Sequence, residues 1–200
     1  MTGGTEGAKA EKRRLRAALT AARRAIPTSE RAAAAASLTA AVLSLPEVGA
    51  ARTVALYVSI GTEPVTTELL DVLRSRDITV LLPVVQDDLD LDWAIYAGRE
   101  HLSPDGHGLL TPAGPRLGVD AVARADVLLV PAVAVGADGT RMGQGGGCYD
   151  RALARVPAGT PVVALLHEGE LLAAVPAEAH DRQVTHVALP SGVRALGPAG

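Results

Sequence analysis

The sequence predicts an α/β fold of three layers, with a mostly parallel central sheet flanked by helices. Three observations carry this expectation. Short β-branched runs alternate with stretches of helical period along most of the chain. The run from Asp126 to Val135, DVLLVPAVAV, is almost wholly apolar, as expected of a central parallel strand covered on both faces. The chain has 200 residues, 48% of them hydrophobic, enough for one core and cramped for two. Aromatics make up 2% with no Phe, so that core must be built from Val, Leu, Ile and Ala.

The elements follow in order. Residues 1–7 read as a flexible polar start, and residues 8–200 as one domain without internal repeat or dividing linker. From Ala8 to Ile26 the period is helical: Leu15, Leu19, Ala22 and Ile26 share one stripe, while Lys12 and Arg16, four apart, share another face. Pro27 ends this helix. Thr28 or Ser29 can cap an Ala-rich second helix that runs to about Leu45, with Glu30 near the positive end of its dipole. Then the period changes. Thr53–Ile60 (TVALYVSI) reads as a buried strand, Val65–Arg76 as a helix, and Ile78–Val85 as a strand interrupted by Pro83. Leu89–Tyr96 suits an edge strand, and residues 98–120, rich in Gly and Pro, a loop. After the strand at 126–135 come a helix at Tyr149–Arg155, a strand at Pro161–Leu166, a short helix at Glu168–Ala174 and a strand at Thr185–Leu189. Sites in such folds lie beyond the carboxyl ends of the strands.

Composition removes several classes of function. A net charge of −3 argues against a surface that grips nucleic acid everywhere. The shortage of aromatics argues against base-stacking platforms. Cys148 is the one cysteine, which excludes an intramolecular disulfide and a Cys-rich zinc site and suits a reducing cytosol. No apolar signal region follows the Lys and Arg residues of the first 30 positions; a transit peptide is the compositional alternative to a plain helix there. The longest apolar run, Val127 to Val135, is strand length, short of the ~18 residues a bilayer span needs. The expectation is a soluble protein.

The segment richest in chemistry is Asp138–Arg151, DGTRMGQGGGCYDR, between the strongest strand and a helix. Gly143, Gly145, Gly146 and Gly147 leave backbone N–H groups unobstructed and permit positive φ, a pattern that forms anion sites at helix starts. Arg141 adds a bidentate phosphate donor, and Asp150 a carboxylate where Mg²⁺ could bridge to phosphate. A flexible glycine turn is the plain alternative. Two familiar phosphate motifs fail here. The Gly-Lys-Ser/Thr ending of the Walker pattern is absent, and the dinucleotide fingerprint wants a small residue at Cys148 and an earlier place in the chain. Lys12 and Arg16 are candidate phosphate ligands, weighed against a solvated helix face. Glu63, in SIGTEPVT just after the first strand, is a candidate at a strand-end crevice, weighed against a solvated turn. No His partner is identifiable for Cys148 as a nucleophile.

Taken together, these segments resemble the 5-formyltetrahydrofolate cyclo-ligase (5,10-methenyltetrahydrofolate synthetase) family, from about Lys12 to Val193. The resemblance rests on a basic helix of pattern K-x-x-L-R, Lys12 to Arg16, and on a strand and turn bearing a glutamate, Tyr57 to Glu63. Its most specific piece is G-x-R-[LM]-G-x-G-x-G-Y-Y-D-R, here Gly139 to Arg151. Pro176 and a downstream His180-Asp181 complete the set.

The resemblance implies a Rossmann-like cyclo-ligase fold and an ATP-dependent ligase that forms a C–N ring in one-carbon metabolism. ATP and Mg²⁺ would convert 5-formyltetrahydrofolate to 5,10-methenyltetrahydrofolate with release of ADP and phosphate. The formyl oxygen would be phosphorylated and N10 would close the ring. Such a reaction asks mainly for positioning and charge neutralisation, which a glycine loop, arginines and a metal carboxylate supply. Arg141 and Asp150 would be catalytic. Lys12, Arg16, Arg141, Met142, Gly143, Gln144, Gly145, Gly146, Gly147, Cys148 and Tyr149 would bind ATP, the co-substrate. Glu63 would pair with the pterin ring, and Gln144, Gly145, Gly146, Gly147 and Cys148 would also line the folate. Asp150 and Asp181 would hold Mg²⁺. Trp93 or Tyr96 near the folate is a further expectation, against a place in the core. The implied partners are 5-formyltetrahydrofolate, with or without a polyglutamate tail, and ATP. Arg116, Arg124 and Arg151 are candidates for a basic rim. A cytoplasmic monomer without nucleic-acid or membrane partners completes the expectation.

The chain departs from the family pattern at Cys148, where a Tyr is usual, at Gln144, where a basic or aromatic residue is common, at Gly146, often Lys, and at Leu189, where Thr is usual. Arg141, Asp150 and Asp181 are intact. Two other readings stay open from sequence. One is a non-catalytic relative that binds folate or nucleotide, motivated by Cys148 and Gln144. The other is an RNA-binding or interaction protein using the basic first helix, opposed by the acidic total.

Overall fold

A computed structural model describes residues 3–105, 108–178 and 181–197. The chain opens with α1 (Gly3–Ala25). α2 (Thr28–Leu43) follows at once, but Pro27 itself takes the N-cap position, and neither Thr28 nor Ser29 caps with its side chain. Pro46, unable to continue α2, starts a separate short helix, α3 (Pro46–Ala50).

β1 (Thr53–Ala55) is shorter than the eight-residue run that encodes it. The Leu56 N–H still reaches the Leu81 carbonyl at 2.9 Å, and then the chain leaves the sheet. Thr66, fully buried just before α4 (Thr67–Ser75), makes this possible. Its hydroxyl donates to the Tyr57 carbonyl at 2.7 Å and accepts the Ser59 N–H at 3.0 Å, so backbone groups that lose ladder partners are satisfied. β2 (Thr79–Val85) and β3 (Leu91–Ile95) form an antiparallel pair. Pro83 does not interrupt β2. β1 pairs only with Thr79, Val80 and Leu81, so the N–H that proline lacks falls past the end of β1.

Residues 98–120, expected as loop, hold a 3₁₀ turn at Arg99–His101, a hairpin of β4 (Leu102–Pro104) and β5 (Leu110–Pro112), and the start of a 3₁₀ helix at Val119–Arg124. The apolar run at 126–135 is two strands in two sheets. β6 (Val127–Pro131) belongs to the main sheet; β7 (Ala134–Gly136) pairs antiparallel with β8 (Arg141–Met142). α5 (Cys148–Leu153) and β9 (Val162–Leu165) follow. The helix expected at Glu168–Ala174 is absent from the structure. Gly169 takes φ +82° and turns the chain into β10 (Leu171–Leu172), parallel to β7. β11 (His186–Leu189) ends the parallel order, and β12 (Gly192–Ala195), which the sequence reading omits, folds back antiparallel.

Among the described residues, seven strands form the main sheet in the order β12-β11-β9-β6-β1-β2-β3. The five inner strands are parallel, and the two outer ones run antiparallel. Side-chain alternation sends the strands to two cores. Val127 and Leu129 of β6 pack with Leu38, Val42, Leu69 and Leu73 of α2 and α4. Leu128 and Val130 face Trp93, Ala152 and Leu153 on the other side. The register of Leu129 with Val163 keeps β9 in phase, so both faces stay apolar across the sheet. Each fully buried Leu or Val contributes roughly 1.5–3 kcal/mol, which is why helices cover both faces.

α1 stands apart from these layers. Its Leu15 and Leu19 pack on Ala134 and Met142 of the second sheet, β10-β7-β8, and on Val133 and Val175 beside it. A buried ion pair fastens it there. Arg23 Nε lies 2.6 Å from Glu170 Oε1, and Arg23 Nη2 reaches Glu170 Oε2 at 2.8 Å and the Ala132 carbonyl at 2.6 Å. Among the described residues no helix is long and apolar enough to cross a membrane.

Candidate active site

The order of the main sheet reverses at β1. The chain steps outward to β2 and β3, then returns to add β6, β9 and β11 on the other side. Connections at the carboxyl ends of β1 and β6 therefore diverge and leave a crevice. A cleft of about 790 Å³ opens there. Tyr57–Glu63 beyond β1, Pro131–Val133 beyond β6, the β8–α5 loop and the inner face of α1 supply its walls. Leu109 and Leu110 of the hairpin stand at its edge.

Lys12, Arg16, Glu63, the whole run Arg141–Asp150, and Asp181 all line this one cleft, although they come from four distant parts of the chain. His180 lies outside the described residues. Lys12 and Arg16 do not form a solvated face. Lys12 Nζ lies 2.7 Å from Asp181 Oδ2 and 3.1 Å from Glu178 Oε1, and Arg16 Nε donates to the Gly143 carbonyl at 2.9 Å. α1 thus presents its apolar stripe to the second sheet, Arg16 to the glycine loop and Lys12 to the carboxylates of Glu178 and Asp181.

The loop itself needs its glycines. Gly145 has φ +104° and Gly147 has φ +70°, values that side-chain-bearing residues rarely adopt. A Cβ on Gly143 would stand 2.6 Å from Arg141 Nη1, so the backbone passes close over the guanidinium. Arg141 is buried. Its Nη2 pairs with Asp150 Oδ1 at 2.9 Å, and its Cζ lies 5.8 Å from the centre of the Tyr149 ring. The Arg182 N–H also reaches Asp150 Oδ1 at 3.3 Å. Met142 is buried in β8, Gln144 is exposed at the loop tip, and Cys148 is half-buried at the start of α5.

Glu63 lines the cleft from the segment beyond β1. Its Oε2 accepts the Ile60 N–H at 3.0 Å. Burial pushes its carboxyl above the usual range, while that hydrogen bond and the nearby Arg23 charge pull the other way. Tyr57 and Tyr149 are likewise raised, both chiefly by burial and then by the charge of Glu63. Three buried polar atoms of cleft-lining residues have no hydrogen-bond partner among the described residues: the Tyr57 hydroxyl, Arg141 Nε and Arg151 Nε.

Trp93 and Tyr96 are not part of the site. Trp93 is in the core beneath the sheet, and the Tyr96 hydroxyl donates to Asp71 Oδ1 at 2.6 Å away from the cleft. The sequence marks Tyr57 only as the start of the Tyr57–Glu63 segment, and Glu178 and the Arg23–Glu170 pair not at all. No local pattern marks them, because each gains its meaning from residues more than a hundred positions away or from the chain's exit from the sheet.

The chain matches the model of the 5-formyltetrahydrofolate cyclo-ligase family over residues 8–190. It is 40% identical over 191 residues to the 5-formyltetrahydrofolate cyclo-ligase of Mycolicibacterium smegmatis, covering 92% of this chain and 97% of that one. It is 31% identical over 155 residues to the enzyme of the same name from Escherichia coli, covering 76% and 85%. The solution structure of Aquifex aeolicus 5,10-methenyltetrahydrofolate synthetase superposes with a TM-score of 0.81 at 26% identity, over 94% of each chain. A synthetase structure from Mycoplasma pneumoniae shares the fold with a TM-score of 0.71 at 20% identity, over 89% of this chain and 98% of that one. Sheet order, cleft and glycine loop thus meet a match that spans nearly the whole sequence, and this chain, an enzyme, belongs to the 5-formyltetrahydrofolate cyclo-ligase family.

Proposed function

We propose that the cleft binds ATP and 5-formyltetrahydrofolate side by side and joins N5 and N10 of the folate through the formyl carbon. The observation that carries this reading is that Glu63 and the phosphate-type groups Lys12, Arg16 and Arg141 share one cleft.

In this reading, the loop from Met142 through Tyr149 and the cations Lys12, Arg16 and Arg141 bind the triphosphate. Glycine N–H groups and guanidinium forks suit phosphate oxygens, and the unpartnered Arg141 Nε adds a donor. Glu63 accepts adjacent N–H groups of the pterin in its ionised form. The same loop, from Gln144 to Cys148, forms the floor under the folate. A formamide oxygen is a poor leaving group. It attacks the γ-phosphorus, the bond to the ADP oxygen breaks, and an activated iminium-type carbon results. N10 attacks that carbon and loses its proton. The carbon–oxygen bond then breaks, phosphate leaves, and the methenyl bridge closes. Arg141 neutralises charge on the transferred group.

Mg²⁺ fits the donor chemistry of the cleft. Asp150, Glu178 and Asp181 all bring hard carboxylate oxygens to it. Among the described residues no three His, Cys, Asp or Glu side chains form a ready cage, and Mg²⁺ commonly uses one or two carboxylates with substrate phosphates and water. Asp150 and Asp181 would hold the ion. Bound there, it would neutralise phosphate charge.

Stoichiometry tests the reading. One ADP and one phosphate should appear for each folate closed. Ring closure without ATP, or ATP cleavage that ignores the folate, would contradict it.

A further inference from the structure

His167 belongs to none of the motifs above. It is 6% exposed and lies just beyond the carboxyl end of β9. Its ring Nε2 is 3.0 Å from the Thr62 carbonyl oxygen. A carbonyl can only accept, so Nε2 carries the proton and donates. Its main-chain N–H donates to Glu170 Oε2 at 2.8 Å. That same oxygen is held by Arg23 Nη2. One residue therefore joins the turn that carries Glu63 to the buried pair that anchors α1, the helix of Lys12 and Arg16.

Thr66 clamps the base of this turn through its bonds to Tyr57 and Ser59, but the tip, residues 60–63, has little else to hold it. Residues 60–63 close on themselves, through Glu63 N–H to the Ile60 carbonyl at 3.0 Å and Ile60 N–H to Glu63 Oε2 at 3.0 Å. Ile60 and Gly61 are exposed, and Gly61 has φ +56°. Among the described residues, the His167–Thr62 bond is the hydrogen bond that ties this turn to another part of the chain. A carboxylate meant to meet paired N–H groups needs its backbone fixed to within a fraction of an ångström.

We propose that His167 is a positioning residue for the folate side of the cleft: by holding the Thr62 carbonyl it fixes where the Glu63 carboxylate stands, and through Glu170 it sets that place relative to α1. The proposal rests on the reading of Glu63 as the pterin acceptor.

The test compares His167→Phe, which keeps a ring without the donor, with His167→Gln, whose amide can place an N–H near the position of Nε2. Equilibrium binding of 5-formyltetrahydrofolate without ATP, the KM for ATP and the melting temperature are read for each. His167→Phe should weaken folate binding about five- to tenfold, with the KM for ATP within about twofold, and His167→Gln should recover most of the loss. In a Glu63→Gln background, His167→Phe should add nothing further. Unchanged folate binding in His167→Phe overturns the proposal. So does a loss shared equally by ATP and not recovered by His167→Gln, or a penalty that persists in full beside Glu63→Gln. If Glu63→Gln alone leaves folate binding intact, the reading of Glu63 fails and the role of His167 with it. If Glu63→Gln weakens binding and His167→Phe does not, only the role of His167 fails.

Discussion

Arg141 Nη2 stands 2.9 Å from Asp150 Oδ1, so the guanidinium and the carboxylate of the glycine loop are paired before any ligand arrives. Each holds the other in a buried place that neither would occupy alone. The proposed roles need the pair to be shared, with the guanidinium turned to phosphate and the carboxylate to a cation.

Asp150→Asn keeps an oxygen that can accept from Arg141 and removes the charge. It should lower kcat by about a hundredfold or more while shifting the melting temperature by only about 5 °C or less. Arg141→Ala should do more, because it leaves a largely buried carboxylate unpaired and empties its own site. We expect roughly 3–5 kcal/mol lost in a denaturant melt, on top of the loss of turnover. Near-normal kcat for Asp150→Asn would remove that residue from the chemistry.

Lys12 faces two carboxylates, Glu178 at 3.1 Å and Asp181 at 2.7 Å, with all three side chains largely buried. Lys12→Met should lower stability and raise the KM for ATP. Adding Glu178→Gln should return part of the stability, because one uncompensated charge is gone, and none of the ATP affinity. Paired melts and KM measurements separate the two effects. Recovery of both together would reduce Lys12 to a structural counter-ion.

Glu63 carries a pH signature. Its folded carboxyl is raised above the ordinary value of 4.5, chiefly by burial, so the folded state binds more protons than the unfolded one just above that pH. Its contribution to stability is therefore greatest below pH 4.5 and is lost as pH rises through the raised value. Glu63→Gln should flatten this loss, making the variant the more stable protein at neutral pH. Folate binding should move oppositely in the wild type, strengthening as Glu63 ionises, and be weaker and pH-independent in Glu63→Gln. Melting curves and folate titrations between pH 4 and 8 check both signs.

Trp93, the one tryptophan, is 1% exposed in the core with no part in the cleft. Trp93→Phe should cost about 1–3 kcal/mol and leave the folate KM unchanged. A changed KM with stability preserved would return Trp93 to the site.

The cleft was legible because its parts announce themselves locally. Arg141, the glycines and Asp150 fall within ten residues, and both Gly145 and Gly147 do take the positive φ that only glycine accepts readily. The parallel order was legible from the apolar β6 and β9 runs. The split of the 126–135 run was not, because apolarity is the same in β6 and β7 while their partners belong to different sheets. Glu168–Ala174 reads as helix because it has good helix formers, and tertiary pairing of β10 with β7 outweighs that propensity. Arg23 and Glu170 carry no local sign at all. Each reads as a surface charge until the fold brings them to 2.6 Å.

The most direct measurement is the near-ultraviolet absorbance of purified protein with 5-formyltetrahydrofolate, ATP and Mg²⁺, since the methenyl product has its own chromophore. Absorbance should rise only with both ATP and free metal ion present, and Asp150→Asn should nearly abolish the rise. No rise from folded protein that still binds the folate, or a rise indifferent to ATP, would contradict the proposed reaction.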